Sequence, residues 1–254
     1  MPPRTSGGEG KGTMRSETDT PSRSRGERTV DKREVFQRHA LFHPLTPQEI
    51  EFLATYSRVE HFAKGTTIFM KGDEGSGLMA PLKGQVRISV TSAEGKEIVL
   101  NIVRPGEVFG EMALLDGRPL SADAVTMTDC DVLVLDRREF IPFIKAHPDV
   151  ALKLIEVLCA RLRRTSEQVE DMLFLDLAAR LAKTLLRLSR DLKSPTISIT
   201  QKDLGQMVGL SRESTNKQLR AWERRNWVKL VKGGVALTDL EALGEIAAAD
   251  EDEE

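Results

Sequence analysis

The sequence predicts an α+β chain in three parts: an N-terminal β-roll, a long helix able to pair two copies, and a C-terminal winged helix-turn-helix. Three observations carry this. Short β-rich runs separated by glycines fill about residues 57–137. A coiled-coil spacing begins after Asp149, and a helix, turn, helix and hairpin pattern follows from Thr196. With 254 residues, 40% of them hydrophobic, the chain is long enough to bury a sizeable core in more than one domain.

Residues 1–35 are expected to form a disordered tail. Positions 1–33 are rich in Ser, Gly, Thr, Arg and Pro, and apart from the prolines Met1, Met14 and Val30 are their only apolar side chains. Such a segment cannot bury enough surface to offset its ordering entropy. The β-roll is placed at 36–147. Thr46-Pro47-Gln48-Glu49 opens a short helix ahead of it, with Thr46 as N-cap, Pro47 at the first helical position and Glu49 closing a capping box. Ile50, Leu53 and Ala54 supply its apolar face. Gln85–Val90 and Glu97–Ile102 are the clearest strands, and glycines such as Gly84, Gly95 and Gly106 mark the turns around them.

A dimerisation helix is placed at 148–175. Ile155, Leu158, Leu162, Thr165, Val169 and Met172 are spaced 3, 4, 3, 4, 3, the a/d seam of a coiled coil. A helix packed on its own domain would also be apolar on one face. The hydroxyl of Thr165 favours the homodimer, because a polar group in a seam weakens it and calls for a reason such as register or a ligand.

The winged helix-turn-helix is placed at 176–243 and a solvated acidic tail, ending Asp250-Glu-Asp-Glu-Glu254, at 244–254. Thr200-Gln-Lys-Asp203 resembles a capping box and opens a helix with Leu204, Met207 and Val208 inside; Gly209 ends it. Ser211 caps a second helix with Thr215, Leu219 and Trp222 inside and Arg212, Glu213, Asn216, Lys217 and Arg220 outside. Gly233-Gly234 then centres a hairpin. Residues 180–237 hold thirteen Lys/Arg against four Asp/Glu, a net of +9, so the remainder of a chain that totals −2 carries −11. A basic module on an acidic body points to a polyanion partner. The second helix of such a module enters the major groove, where Arg212 and Lys217 suit guanine and Glu213 can accept from cytosine. The plainer role for Glu213 and Lys217 is a surface ion pair at i and i+4.

A second constellation runs from Phe109 to Ala122. Gly110 lets backbone approach a ligand, Glu111 can accept from hydroxyls, and the turn between them can offer N–H groups to an anion. Together, Gly110-Glu111-Met112-Ala113-Leu114-Leu115, Arg161–Glu167, Phe174-Leu175-Asp176 and Val208–Glu213 resemble the Crp/Fnr transcription regulators, in their cyclic-AMP receptor branch, over about residues 36–240. The resemblance implies that the β-roll is of the cyclic-nucleotide-binding kind. It implies that Gly110 and Glu111, with Met112 beside them, hold the ribose and that Ser121 and Ala122 hold the cyclic phosphate. Thr165 and Ser166 would meet the adenine from the two dimer helices. It also implies that Ser211, Arg212, Glu213, Asn216, Lys217 and Arg220 face DNA at a palindromic operator with TGTGA-like half-sites, and that RNA polymerase is a partner.

One position departs from the family. Leu120 stands where the phosphate-binding arginine is expected. A buried phosphate without its ion-pair partner costs several kcal/mol. Arg118, two residues earlier, would point the same way if the segment were extended, and could substitute; the plainer role for it is a solvated arginine in a surface turn. The alternative is a regulator of the same type that does not bind cyclic AMP and is ligand-independent or senses another small molecule.

Other classes fare worse. Two cysteines, Cys130 and Cys159, cannot hold an iron–sulfur cluster or a four-ligand zinc, and favour a reducing compartment. His39, His43, His61 and His147 read as surface or structural groups rather than haem or metal ligands. No nucleophile–base signature, P-loop or metal cluster indicates an enzyme. With no apolar run long enough to span a bilayer and no hydrophobic signal core, the expected location is the cytoplasm, with no membrane partner.

Overall fold

The computed structural model describes residues 32–248, apart from His39, His43 and Pro44. The expected disorder of 1–31, the acidic end from Asp250 and the roles of His39 and His43 lie outside the described residues. Within them, the chain begins with helices α1 (Lys32–Arg38) and α2 (Pro47–Tyr56), so residues 32–35 are helical rather than part of a tail. The capping box forms as expected: Thr46 accepts from the Glu49 N–H, and the Glu49 carboxylate accepts from the Thr46 N–H at 2.6 Å. Ile50, Leu53 and Ala54 are its buried face.

The β-roll has two antiparallel sheets. One orders strands β1 (Ser57–Phe62), β7 (Cys130–Asp136) and β3 (Gly77–Lys83). The other orders β2 (Thr67–Phe69), β6 (Asp123–Thr126), β4 (Val86–Thr91) and β5 (Glu97–Val103). Val86, Val103, Ala124, Val132 and Val134 close the space between them. Helix α3 (Glu111–Asp116) crosses one end, and α4 (Arg137–Ala146) packs Phe140 and Phe143 into the core shared with α1 and α2.

Helix α5 (Pro148–Phe174) has 27 residues, about 40 Å at 1.5 Å per residue. Only Val150 and Leu154, near its start, are buried. Beyond them Ile155 (53%), Leu162 (68%), Val169 (51%) and Met172 (41%) stand exposed along the expected seam, with Leu173 and Phe174 more than 70% exposed at its end. A stripe of that size is left bare only where something covers it.

Leu175 breaks the helix in an extended conformation, and the Asp176 carboxylate caps α6 (Leu177–Leu192) through the Ala179 N–H. The C-terminal domain then builds the expected α7 (Gln201–Val208) and α8 (Arg212–Arg224), with Leu204, Met207, Val208, Thr215, Leu219 and Trp222 buried.

Three details differ from the sequence reading. The hairpin of β9 (Val228–Val231) and β10 (Gly234–Leu237) turns at Lys232-Gly233, not at the two glycines. Gly234 lies inside β10, because a third strand, β8 (Thr196–Ile197), pairs there and a Cβ on Gly234 would meet the Ile197 carbonyl oxygen at 2.3 Å. The boundary drawn at 243/244 falls within helix α9 (Leu240–Ala248), which packs on α6 and buries Leu243 completely, so 244–248 belong to the domain.

The two domains share a core. Val99 and Ile102 of β5 are buried in the cluster formed by α6, α7, α8 and the wing. Across the same junction Arg87 on β4 reaches both Glu97 of β5 (2.9 Å) and Asp203 of α7 (3.0 Å), and Gln206 donates to Glu97 at 2.7 Å. Asp203 is one methylene shorter than the usual capping-box glutamate. Its carboxylate accepts from the Thr200 hydroxyl at 2.5 Å and turns toward Arg87.

Candidate ligand pocket and DNA-facing surface

Two pairs of backbone hydrogen bonds frame a cavity in the β-roll. Phe109 and Met79 exchange N–H and C=O at 2.8 and 2.9 Å, tying the start of α3 to β3. Gly72 and Asp73 do the same for Leu120, fixing the segment that carries Ser121 and Ala122. Between them Gly110 takes φ +80°, and a Cβ there would meet the Gly77 carbonyl oxygen at 2.9 Å, so only glycine fits without strain.

The cavity, about 180 Å³, is lined by Gly110, Glu111, Met112, Leu120, Ser121, Ala122 and Thr165, together with apolar side chains of β2, β4 and β5. Seven residues singled out in the sequence therefore meet at one place, with α5 supplying the far wall. Glu111 is 3% exposed and is neutralised by Arg161 of α5, which donates to its carboxylate and to the Val108 carbonyl. Met112 stands at the mouth, 53% exposed, with the Ser121 hydroxyl 3.9 Å from its sulfur.

One expectation changes. Arg118 is exposed and lies outside the cavity wall. The Asp116 carboxylate accepts its N–H at 2.9 Å in a turn through Gly117, and Pro119 follows, so 118 and 120 do not share one extended face. Ser166, expected to meet the base from the second copy, lies outside its own chain's wall, exposed, its hydroxyl turned back to the Leu162 carbonyl. Thr165 makes the matching bond to Arg161 but keeps its place in the lining.

Arg164 belongs to the run Arg161–Glu167 but has no role assigned from the sequence, yet it lines the cavity as well. Its guanidinium donates to Asn101 on β5 at 3.0 Å and to Asp191 at the end of α6 at 2.6 Å. Arg104 and Arg187 sense the charge of the same carboxylate. Burial holds both guanidiniums below the usual arginine value; Asp191 opposes that shift and Arg164's like charge adds to it.

The second surface is the outer face of α8. Ser211 caps it by accepting from the Ser214 N–H at 3.0 Å. Arg212, Glu213 and Lys217 are exposed, Asn216 is half-buried, and Glu213 and Lys217 do not pair with each other. Arg220 instead pairs with Glu223 at 2.9 Å. The other Glu223 oxygen accepts from the Leu230 N–H, fixing the wing against α8; that bond, then Arg220, holds the carboxyl below its ordinary value.

Fold and surfaces define a class: a β-roll sensor joined through one long helix to a winged helix-turn-helix. Comparison with known proteins gives the family. Residues 59–147 match the cyclic nucleotide-binding domain, and residues 179–246 match the Crp-like helix-turn-helix domain. Relatives include the CRP-like cAMP-activated global transcriptional regulator of Mycobacterium tuberculosis, 32% identical over 83% of this chain and 97% of that one. The cyclic AMP receptor protein of Thermus thermophilus is 35% identical over 82% and 96%. A solved Crp/Fnr-family regulator from Eubacterium rectale shares the fold at TM-score 0.66 and 21% identity, covering 82% of this chain and 97% of that one.

The chain belongs to the Crp/Fnr family. It is a DNA-binding transcription regulator, not an enzyme, with a cyclic nucleotide-binding domain at its N-terminal end. Among the described residues no helix is long and apolar enough to cross a membrane.

Proposed function

We propose that the chain is a cytoplasmic, homodimeric regulator whose affinity for DNA is gated by a cyclic nucleotide such as cyclic AMP. The observation that carries this is the pocket itself: Gly110, Glu111, Ser121 and Ala122 line one cavity whose far wall, with Thr165, belongs to the helix bearing the bare apolar seam. A ligand there touches the element that two copies share. The relatives described above as cAMP-activated support the same reading. Gly110, Glu111 and Met112 take the ribose side, Ser121 and Ala122 the cyclic phosphate, and Thr165, with Ser166 from the second copy, the base.

The partner is double-stranded DNA at a two-fold operator with TGTGA-like half-sites, one for each α8. Ser211 and Asn216 position the helix, while Arg212, Glu213 and Lys217 read bases and Arg220 approaches the backbone. RNA polymerase is the further partner at the promoter. Fluorescence anisotropy with a symmetric operator tests the gating. Cyclic AMP is expected to tighten binding, and log affinity should fall steeply with log salt as Lys and Arg displace counterions. Equal affinity with and without nucleotide refutes the gating.

A second reading rests on Leu120, 9% exposed and apolar where the family places its phosphate arginine. On it the regulator is ligand-independent or answers to another small molecule, and calorimetry shows no heat with cyclic AMP.

A further inference from the structure

Resting on the cyclic-nucleotide reading, we propose that Arg164 is this pocket's anion-binding residue, and that a nucleotide phosphate recruits it away from Asp191, untying the long helix from the DNA-binding domain.

The cavity holds two guanidiniums. Arg161 is committed to buried Glu111 and to the Val108 carbonyl, so it carries no spare charge. Leu120 offers none. Arg164 is the second; it lines the cavity beside Thr165, and its side chain is 28% exposed. It also lines an adjoining hollow with Gly106 and Glu107, so it stands in the wall between two spaces into which a long side chain can swing.

Its present partners make that swing inexpensive. Asp191, at 37% side-chain exposure, is partly hydrated and keeps Arg104 and Arg187 as neighbouring cations when Arg164 leaves. Departure also relieves the repulsion that Arg164's charge exerts on Arg104 and Arg187. Asn101, the other partner, is a neutral amide lining the same cavity.

The consequence reaches the DNA-binding domain, because Asp191 lies in the last turn of α6. The Arg164–Asp191 bond ties the middle of α5 to α6 across the Leu175 break. An anion that takes Arg164 therefore removes a restraint on the hinge, whereas an uncharged ligand in the same cavity leaves it in place. That difference makes Arg164 both a specificity determinant and a coupling element.

Calorimetry and operator binding on the full chain test this. Arg164→Gln should weaken cyclic AMP about tenfold to a hundredfold, the loss of a charge-assisted hydrogen bond, while adenosine, which lacks the phosphate, binds variant and wild type alike. Asp191→Asn, outside the pocket, should tighten cyclic AMP severalfold and raise operator affinity without nucleotide. In the Arg164→Gln background, Leu120→Arg should restore nucleotide affinity but not the nucleotide-dependent gain in DNA binding. Unchanged cyclic AMP affinity in Arg164→Gln, or equal losses for cyclic AMP and adenosine, overturns the role of Arg164 and leaves the gating intact. No heat from wild type, with binding only after Leu120→Arg, overturns both.

Discussion

Removing Arg87 should destabilise the junction of the two domains far more than removing any surface ion pair. Arg87, Glu97 and Asp203 are 16%, 17% and 11% exposed, with two ion-pair distances of 2.9 and 3.0 Å. Breaking a buried pair by deleting one partner costs about 3–5 kcal/mol, because the remaining charge is left desolvated and unpaired. Two carboxylates are stranded here, but each keeps neutral donors: Ser89 and Gln206 for Glu97, Thr200 for Asp203. The lower end, about 3 kcal/mol, is therefore expected for Arg87→Met. At about 2–4 °C per kcal/mol for a domain of 150–250 residues, the melting temperature should fall by about 6–12 °C. Differential scanning calorimetry reads this, with Arg58→Met as the control: that arginine is 48% exposed between Glu60 and Asp136, and such pairs contribute about 1 kcal/mol or less. Replacing all three members by Met, Met and Leu should recover most of the loss, since the desolvation cost leaves with the charges. An Arg87→Met melt within a degree or two of the Arg58→Met melt would show that water reaches the junction and that the triad argument is wrong.

Three further outcomes follow from the same geometry. Leu162→Glu, at a position 68% exposed in the single chain, should leave the circular dichroism spectrum unchanged but convert dimer to monomer by light scattering; a stable dimer would remove the seam from the interface. Arg212→Ala should cost about 1–3 kcal/mol at the operator and relax selectivity at one base pair in a substitution series, whereas a uniform loss across all sequences would make Arg212 a phosphate contact. The Thr46 N–H and hydroxyl hold the Glu49 carboxyl below its ordinary value, so its contribution is present above the unfolded carboxylate pKa of about 4.3 and is lost as pH falls through the lower folded value. Wild type should therefore outmelt Glu49→Gln at pH 7, with the gap closing in acid; a constant gap from pH 7 to pH 2 contradicts the ionised cap.

Local chemistry made the helices legible. Thr46, Thr200 and Ser211 each cap the helix that follows, and the periodic residues of α7 and α8 are the buried ones. The pocket was legible in part, because Gly110-Glu111 and Ser121-Ala122 lie within one short stretch. Arg164 was not, since its significance comes from β5 and α6, 63 and 27 residues away in the chain. Arg118 is open in the sequence for a related reason: an extended run and a surface turn both fit its neighbours, and Gly117, Pro119 and the Asp116 carboxylate make the turn. Strand β8 is only two residues long, too short for any periodic signal, and without it Gly234 looked like part of a turn.

The common core of β5 and the DNA-binding domain bears on how such proteins can be recombined. Val99 and Ile102 belong by sequence to the sensor, but they are walled in by side chains from beyond the hinge. A chimera joined at Leu175 would inherit half of a fitted surface, stranding these two side chains against a foreign domain, with Arg87 facing whatever replaces Asp203. The transferable unit is the C-terminal domain together with the β4–β5 hairpin, so a graft that moves both should keep its stability while one that respects the chain order should not.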